Sequence, residues 1–536
     1  MNEDIISLIS KLREYPNNQD LINDIGVHFL KNKNYDEAIK YFKRNLIINI
    51  NNYISHFNLG SAYENIKKIN LAINHYNKAL KINNNFELAY FRLGNVYLSL
   101  GKLDLAIDFF TKSISMNSKN IISLINRGVS YHKSGNLNKA LKDLNLALSL
   151  DSNNCLALIN RGNIYKSLNE TDKAEADYDK VLYNKPNYAE AYFNKGALFQ
   201  EIGKFEMSII CYTKAINFNY KINLSKYNIA FIQLLTGNFS EGFKNYEYRW
   251  QIGKFLKVNR HIKISRPKSI EEIKNKKILV FCEQGFGDIF QFSRYLIELE
   301  NICSEIIFEV PEKLFRILNN LKLKKTKIIK KDSEIIKIDF CIGLLSLPAL
   351  FKTNINSIPT YIPYLKNNLS KDIEWKNKLD SKNINIGICW KGSENLKGRS
   401  LDLSNFKKIS QIKNINLISL QKDLTNKERD LINNEINLIE FTDSLDSDGA
   451  FLDTASIITN CNLIISVDTS IAHLAGILNK QVWVLLKKFP DWRWLLNRKT
   501  TPWYPNVSLF RQENDNDWNK PIRDIYEHLL VKLEKK

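Results

Sequence analysis

The sequence has too few cysteines, too widely spaced, to build a disulfide framework or a cysteine-rich zinc site. Its seven cysteines, Cys155, Cys211, Cys282, Cys303, Cys341, Cys389 and Cys461, form no CxxC pair and are odd in number. That pattern fits a reducing compartment. The first residues, Met1 to Gln19, include Glu3, Asp4, Lys11, Arg13 and Glu14, so a signal-peptide apolar core is missing. No stretch approaches the ~18 uninterrupted apolar residues of a membrane span. Helix-turn-helix, zinc and RNA-binding signatures are also missing. The expectation is a soluble, cytoplasmic protein.

Positive charge, by contrast, is plentiful. Lys plus Arg outnumber Asp plus Glu by 77 to 57, a formal +20. Such a surplus raises nucleic acid or an anionic surface as a partner. Residues 1–256 carry 32 basic and 23 acidic residues (+9), and the remainder carries 45 and 34 (+11). Charge spread this evenly makes nucleic acid an unlikely partner. Apolar residues at 44% supply ample core, and 536 residues correspond to about three or four domains.

The first half is periodic. Gly26, Gly60, Gly94, Gly128, Gly162 and Gly196 are each 34 residues apart, and the next step lands on Ala230. Twelve residues after these positions stand Ala38, Ala72, Ala106, Ala140, Ala174, Ser208 and Gly242. Sixteen after stand Phe42, Tyr76, Phe110, Leu144, Tyr178, Tyr212 and Tyr246. Small residues let paired helices approach, and aromatics fill the gap between neighbours. Gly101, Gly135, Gly203 and Gly237, seven after the repeat position, mark where the first helix of a unit ends. A 34-residue helix–turn–helix of this kind resembles the tetratricopeptide repeat. Seven units are expected over 19–256, the last degenerate, behind a capping helix at 1–18. Two residues before the repeat position, five of seven units carry asparagine: Asn58, Asn126, Asn160, Asn194 and Asn228. The protein O-linked N-acetylglucosamine transferases resemble this chain there, since they carry an asparagine ladder on the concave groove. An amide can donate to and accept from an extended peptide backbone. A solvated face in an asparagine-rich chain gives the same residues.

Beyond Trp250 the period stops. Residues 257–275 read as a linker, and short apolar runs follow: 277–282, 306–310, 338–342, 384–390, 417–420, 463–467 and 482–486, separated by helix-like stretches. Strands alternating with helices argue for parallel βαβ units. The runs fall into two sets, 276–375 and 376–536, expected to be two Rossmann-like halves facing a cleft.

Three motifs stand at strand ends, where α/β proteins bind ligands. The loop Glu283-Gln284-Gly285-Phe286-Gly287-Asp288 follows the first run. Its glycines would let the backbone turn and approach a ligand, and Asp288 either faces the cleft or merely caps the next helix. The run Asp468-Thr469-Ser470-Ile471-Ala472-His473 opens a helix of small residues. Its free amides, the hydroxyls of Thr469 and Ser470, and His473 one turn in suit a diphosphate; an Asp468 cap with a core-facing His473 is the alternative. Lys391, Lys397 and Arg399 place three cations on one strand-end loop, suited to offsetting an anionic leaving group. Gln421 and Lys422 end another strand and could touch the ribose or base of a nucleotide. Five of eight tryptophans lie in 483–518, either as core or as an aromatic wall for a sugar or base. Asp446-Ser447-Asp448 and Asp515-Asn516-Asp517 lie in polar stretches and are read as surface, so no metal is expected.

The GxGD loop, the SVDTSIAHLAG run and the PDWRWLL…PWYP segment together resemble the heptosyltransferase-like glycosyltransferases, family nine, and more closely their bacterial branch fused behind tetratricopeptide repeats. The resemblance implies an α-solenoid followed by a GT-B pair of Rossmann-like units. It also implies metal-independent transfer from a nucleotide-diphosphate sugar, with no cofactor. Asp288 then matches the general base on the acceptor hydroxyl, with Gly285 and Gly287 in the acceptor-side loop. Asp468, Thr469, Ser470 and His473 match the donor-binding run, and Arg399, with Lys391 or Lys397, the phosphate-side cations. Gln421 departs from the family's acidic nucleotide contact, and the half of about 260 residues is short. The repeats would recruit a protein acceptor or partner. The second reading is a peptide-binding adaptor whose transferase-like domain is inactive.

Overall fold

The computed structural model describes residues 3–256, 258, 261–334, 337–379, 382–393, 398–441 and 445–534. Its contacts form two compact units, Met1–Leu198 and Phe199–Lys536.

The first unit is a helical solenoid. After a helix at Glu3–Glu14 come the pairs Gln19–Lys31 with Tyr35–Ile48, Tyr53–Asn65 with Ile69–Ile82, Glu87–Ser99 with Leu103–Met116, Ile121–Lys133 with Leu137–Leu150, and Cys155–Ser167 with Thr171–Asn184. The 34-residue register has a steric cause. A Cβ on Gly60 would lie 2.8 Å from the Tyr76 ring, and one on Gly94 would lie 2.6 Å from Phe110. The repeat glycine and the residue sixteen on are therefore one packing unit. Where Leu144 replaces the ring, the space at Gly128 opens to 3.2 Å. Ala38, Ala72, Ala106, Ala140 and Ala174 are fully buried at the helix–helix contacts. Some of the asparagines serve as caps: the side chains of Asn52, Asn120 and Asn154 accept from the backbone N–H three residues on. The turn marked by Gly101 and Gly135 recurs at Lys33, Lys67 and Asn169, which adopt the same left-handed backbone without being glycine.

The second unit begins with the helices Phe205–Asn217, Ile222–Leu235 and Phe239–Tyr246 and the 3-10 turn Glu247–Gln251. Two sheets follow. The first contains β1 (Lys277–Phe281), β2 (Glu305–Val310), β3 (Thr326–Lys330) and β4 (Phe340–Gly343) in the order β3-β2-β1-β4, all parallel. The second contains β5 (Ile384–Cys389), β6 (Ile415–Ser419), β7 (Leu438–Ile439), β8 (Leu463–Val467), β9 (Val482–Leu486), β10 (Thr500–Thr501) and β11 (Tyr504–Arg511). Its order is β10-β11-β9-β8-β5-β6-β7, parallel except for β10 against β11. Central strands such as β8 and β9 are buried along their whole length, which is why they read as unbroken apolar runs.

Strand order fixes where a ligand can enter. In the first sheet the chain reverses direction between β1 and β4, and in the second between β5 and β8. Loops leaving neighbouring strands in opposite directions open a crevice at their carboxyl ends. The last repeat helices pack beside the first of these points. Arg249, fully buried, donates to Glu283 at 2.9 Å and to Ser346 at 2.7 Å, while Glu283 also accepts the N–H of Leu345 at 3.1 Å. The two sheets are tied together by Arg294, also fully buried, which donates to the carbonyls of Pro359 at 3.1 Å and Trp503 at 2.8 Å.

Candidate functional site

A cleft of about 900 Å³ lies at the two crossover points and receives loops from both sheets. Glu283 to Asp288 line one side, following β1. Lys391 to Ser393 and Arg399 follow β5, Gln421 follows β6, Asp468 to Ser470 follow β8, and Asp491 and Arg493 follow β9. The geometry thus brings together Asp288, Gly285, Gly287, Lys391, Arg399, Gln421, Asp468, Thr469, Ser470 and His473. Lys397 lies outside the described residues.

Asp288 is the third residue of the helix Phe286–Phe292, and its Oδ2 accepts the Gly285 N–H at 2.9 Å. Asp288 is thus not the N-cap, which is Gly285; one of its oxygens accepts the N–H of that cap from inside the helix. The other, Oδ1, accepts from Arg493. Burial lifts the Asp288 carboxyl above its usual range, and the Arg493 cation opposes that lift. Gly287 lines the cleft and also has a packing role. A Cβ there would lie 2.8 Å from the His473 ring, so its bareness lets the helices Phe286–Phe292 and Ser470–Ile477 touch.

Thr469, not Asp468, caps the helix Ser470–Ile477: its hydroxyl accepts the Ile471 N–H at 3.3 Å. The Asp468 carboxylate is left outside the helix. Burial raises it above the ordinary carboxylate range, and neighbouring Asp491 adds to the rise. His473 is core-facing and borders the cleft. It stacks on Trp494 with centroids 5.1 Å apart, and its Nδ1 lies 2.9 Å from the Tyr504 hydroxyl. Burial, then the cations Arg493 and Arg294, press its pKa well below 6.5, which keeps the ring neutral.

The cations are largely committed. Lys391 pairs with Glu428 at 2.6 Å and donates to the Asp423 carbonyl at 3.0 Å, so its charge is offset within the protein. Arg399 lies against Gly392, where a Cβ would come within 2.3 Å of its Nε, and donates to the Asp468 carbonyl at 3.0 Å. It bridges the β5 and β8 loops across the crossover and leaves Nε unpartnered. Gln421 accepts the Lys391 N–H at 3.2 Å, joining the β5 and β6 loops.

The tryptophan-rich segment is core: Trp492, Trp494 and Trp503 are essentially inaccessible, and none lines the cleft. The aromatic lining comes instead from Tyr227, Phe231 and Tyr246 of the last repeat helices, Phe255, Phe286 and Phe451. The repeat register names Tyr246 only as a packing position, and the PDWRWLL segment stands out in the sequence for its tryptophans, with no role given to Asp491 or Arg493. The available signal was a charged pair, Asp491 and Arg493, inside an otherwise apolar stretch. The DxD-like pairs lie elsewhere. Asp446 accepts the N–H groups of Asp453 and Thr454, and Asp448 pairs with Lys371. Among the described residues no cluster of three or more His, Cys, Asp or Glu could hold a metal ion, and no helix is long and apolar enough to cross a membrane.

The asparagine ladder is half-buried. Asn58 donates to Asn23 at 2.9 Å and Asn126 to Asn95 at 2.8 Å, each linking the first helices of successive units. Asn160 turns back to the Leu156 carbonyl at 2.8 Å, Asn194 Nδ2 has no partner, and Asn228 bonds Tyr212 in the second unit.

Comparison with known proteins bears on the first half. The family described as TPR repeat matches residues 65–101, and families described as tetratricopeptide repeat match 88–120, 122–154, 155–188 and 189–221. A TPR repeat-containing protein of Borreliella burgdorferi is 52% identical over 46 residues, 9% of this chain; the chain spans a fifth (20%) of that relative's length. Among solved structures, YrrB, described as a TPR protein with an unusual peptide-binding site, is 23% identical over 34% of this chain and 95% of its own, with a TM-score of 0.30. A tetratricopeptide repeat protein from Parabacteroides merdae is 21% identical over 42% of this chain and 89% of its own, with a TM-score of 0.35. The N-terminal part of the chain, to about residue 221, carries tetratricopeptide repeats.

Proposed function

We propose that the protein is a glycosyltransferase of the GT-B type, moving a sugar from a nucleotide-diphosphate donor to an acceptor hydroxyl. The observation that carries this reading is one cleft at the crossover points of two parallel sheets, with Asp288 on one wall and the start of the helix Ser470–Ile477 on the other. The half-buried Thr469 and Ser470, which line the cleft at the start of this helix, are suited to a diphosphate, which the helix dipole further stabilises. Arg399 stands beside them. Asp288 takes the acceptor proton as its oxygen attacks the sugar carbon and the nucleoside diphosphate departs. The repeats recruit the acceptor protein or a partner.

Replacing Asp288 by Asn tests this assignment. Transfer is expected to fall at least about a hundredfold with donor binding kept; full activity in the variant contradicts the role. The competing reading, a peptide-binding adaptor with an inactive domain, draws support from the matches to tetratricopeptide repeats and from Lys391 being neutralised by Glu428. Tight binding of a peptide with no binding of any nucleotide sugar decides for it.

A further inference from the structure

Arg493 is the cation closest to Asp288, and the PDWRWLL segment that contains it gives it no role of its own. Its guanidinium is buried and forks between two carboxylates on different elements. Nη2 donates to Asp288 Oδ1, and Nη1 donates to Asp491 Oδ1 at 2.7 Å. Asp491 Oδ1 also accepts the backbone N–H of Arg493 at 3.0 Å, fixing the start of the side chain as well as its end. The plane is packed against the Trp492 ring, 4.3 Å from its centroid. Nε, buried at the cleft, has no partner.

The backbone that carries Arg493 is strained. Two residues on, Leu495 holds φ +54° and ψ 178°, a region essentially reserved for glycine. Such a conformation persists only where its surroundings over-determine it, and Trp492, Trp494 and Leu495 are all buried in the core. The turn is thus held in an unfavourable shape that delivers one guanidinium from the β9 end of the second sheet to a carboxylate at the β1 end of the first.

We propose that Arg493 is a positioning residue for Asp288, orienting the carboxylate across the cleft for proton abstraction from an acceptor hydroxyl. The inference rests on the transferase reading above. With one lone pair of Oδ1 held by Arg493 and one of Oδ2 held by the Gly285 N–H, the carboxylate cannot rotate, and each oxygen keeps a second lone pair. In the transfer step the acceptor O–H bond breaks and its proton passes to Asp288. The acceptor oxygen bonds the sugar carbon, and the carbon–oxygen bond to phosphate breaks with its electron pair leaving on the nucleoside diphosphate. Arg493 moves no proton; its positive charge opposes the upward push that burial gives the Asp288 carboxyl. The other groups facing Asp288 are Asp491 on the same turn, Tyr246 on the last repeat helix, and the neutral His473 across Gly287.

The test compares full-length wild type with Arg493→Gln and Arg493→Lys, reading the pH profile of kcat/KM and, separately, the carbon-13 titration of the Asp288 carboxyl. In Arg493→Gln the acidic limb and the carboxyl titration are both expected to move up by one pH unit or more, with kcat at least tenfold lower and donor affinity within threefold. Arg493→Lys, which keeps the charge but not the fork, is expected to restore most of the limb and little of kcat; it carries the comparison if the glutamine variant does not fold. An unmoved limb and an unmoved carboxyl titration in a folded variant overturn the proposal. If the wild type transfers no sugar, the transferase reading falls and Arg493's part in proton abstraction falls with it. An upward carbon-13 shift then still establishes the coupling itself, which separates the two failures.

Discussion

At the scale of single residues, the repeat positions are the most strongly determined. The space beside Gly60 is taken by Tyr76, so Gly60→Ala drives a methyl into a ring 2.8 Å away and is expected to cost about 1–3 kcal/mol. Lys67 makes the opposite case. It is exposed and holds φ +60° where other units use glycine, so Lys67→Gly is expected to stabilise by up to about 1 kcal/mol. Denaturant midpoints check both signs. Histidine supplies a pH effect. His75 lies 3.0 Å from His56, nitrogen to nitrogen, and its pKa is drawn down to about 4 by burial first, then by His56, Lys78 and Lys43. A group with a depressed folded pKa takes up protons more readily when unfolded, so stability falls as pH drops from 6.5 towards 4, by at most about 1.4 kcal/mol per unit from one ring. His75→Gln is expected to flatten that slope in a melting series; an unchanged slope counts against the pairing.

At the scale of elements, legibility followed burial. Strands covered on both faces, β8 and β9, had the bounds their apolar runs suggested. The strand β3, TKIIK with Lys327 and Lys330 flanking two isoleucines and only half-buried, lies at a sheet edge and carries little apolar signal. The strand β11 begins at Tyr504 with Pro505 behind it, so the aromatic segment hid a strand start. The site split in the same way. Asp288 and Thr469 stand just after strands and could be placed from that order, whereas Arg493 meets Asp288 across 205 residues of chain, a pairing that only the fold makes. The 3-10 turn Glu247–Gln251 carries a further consequence. Arg249 and Glu283 are both wholly buried, so Arg249→Met leaves a carboxylate without its cation and is expected to cost about 3–5 kcal/mol, with Glu283→Gln in the same chain recovering much of it. A double-mutant cycle on unfolding free energies reads that coupling; additive costs contradict it.

At the scale of the molecule, the last repeat helices belong physically to the α/β part. Phe239 and Phe243 lie 5.7 Å, centroid to centroid, from Trp503 and Trp492, and Arg249 neutralises Glu283. A fragment 199–536 is therefore expected to express as a cooperatively folding unit, whereas 257–536, which exposes those rings and strands Glu283, is expected to aggregate or remain unfolded. Circular dichroism melts of the two fragments decide it, and equal stability would set this packing aside. Of the cations around the cleft among the described residues, Lys391 is paired and Arg399 braces a loop, so the surplus of positive charge is not concentrated there. The central claim concerns what that cleft holds. Its most direct test is calorimetric titration of the full-length protein with ADP-, GDP-, UDP- and CMP-sugars and their free nucleoside diphosphates. One nucleotide class should bind saturably at one site per chain, with Thr469→Val weakening it about tenfold or more. Absence of saturable binding across the whole panel contradicts the claim.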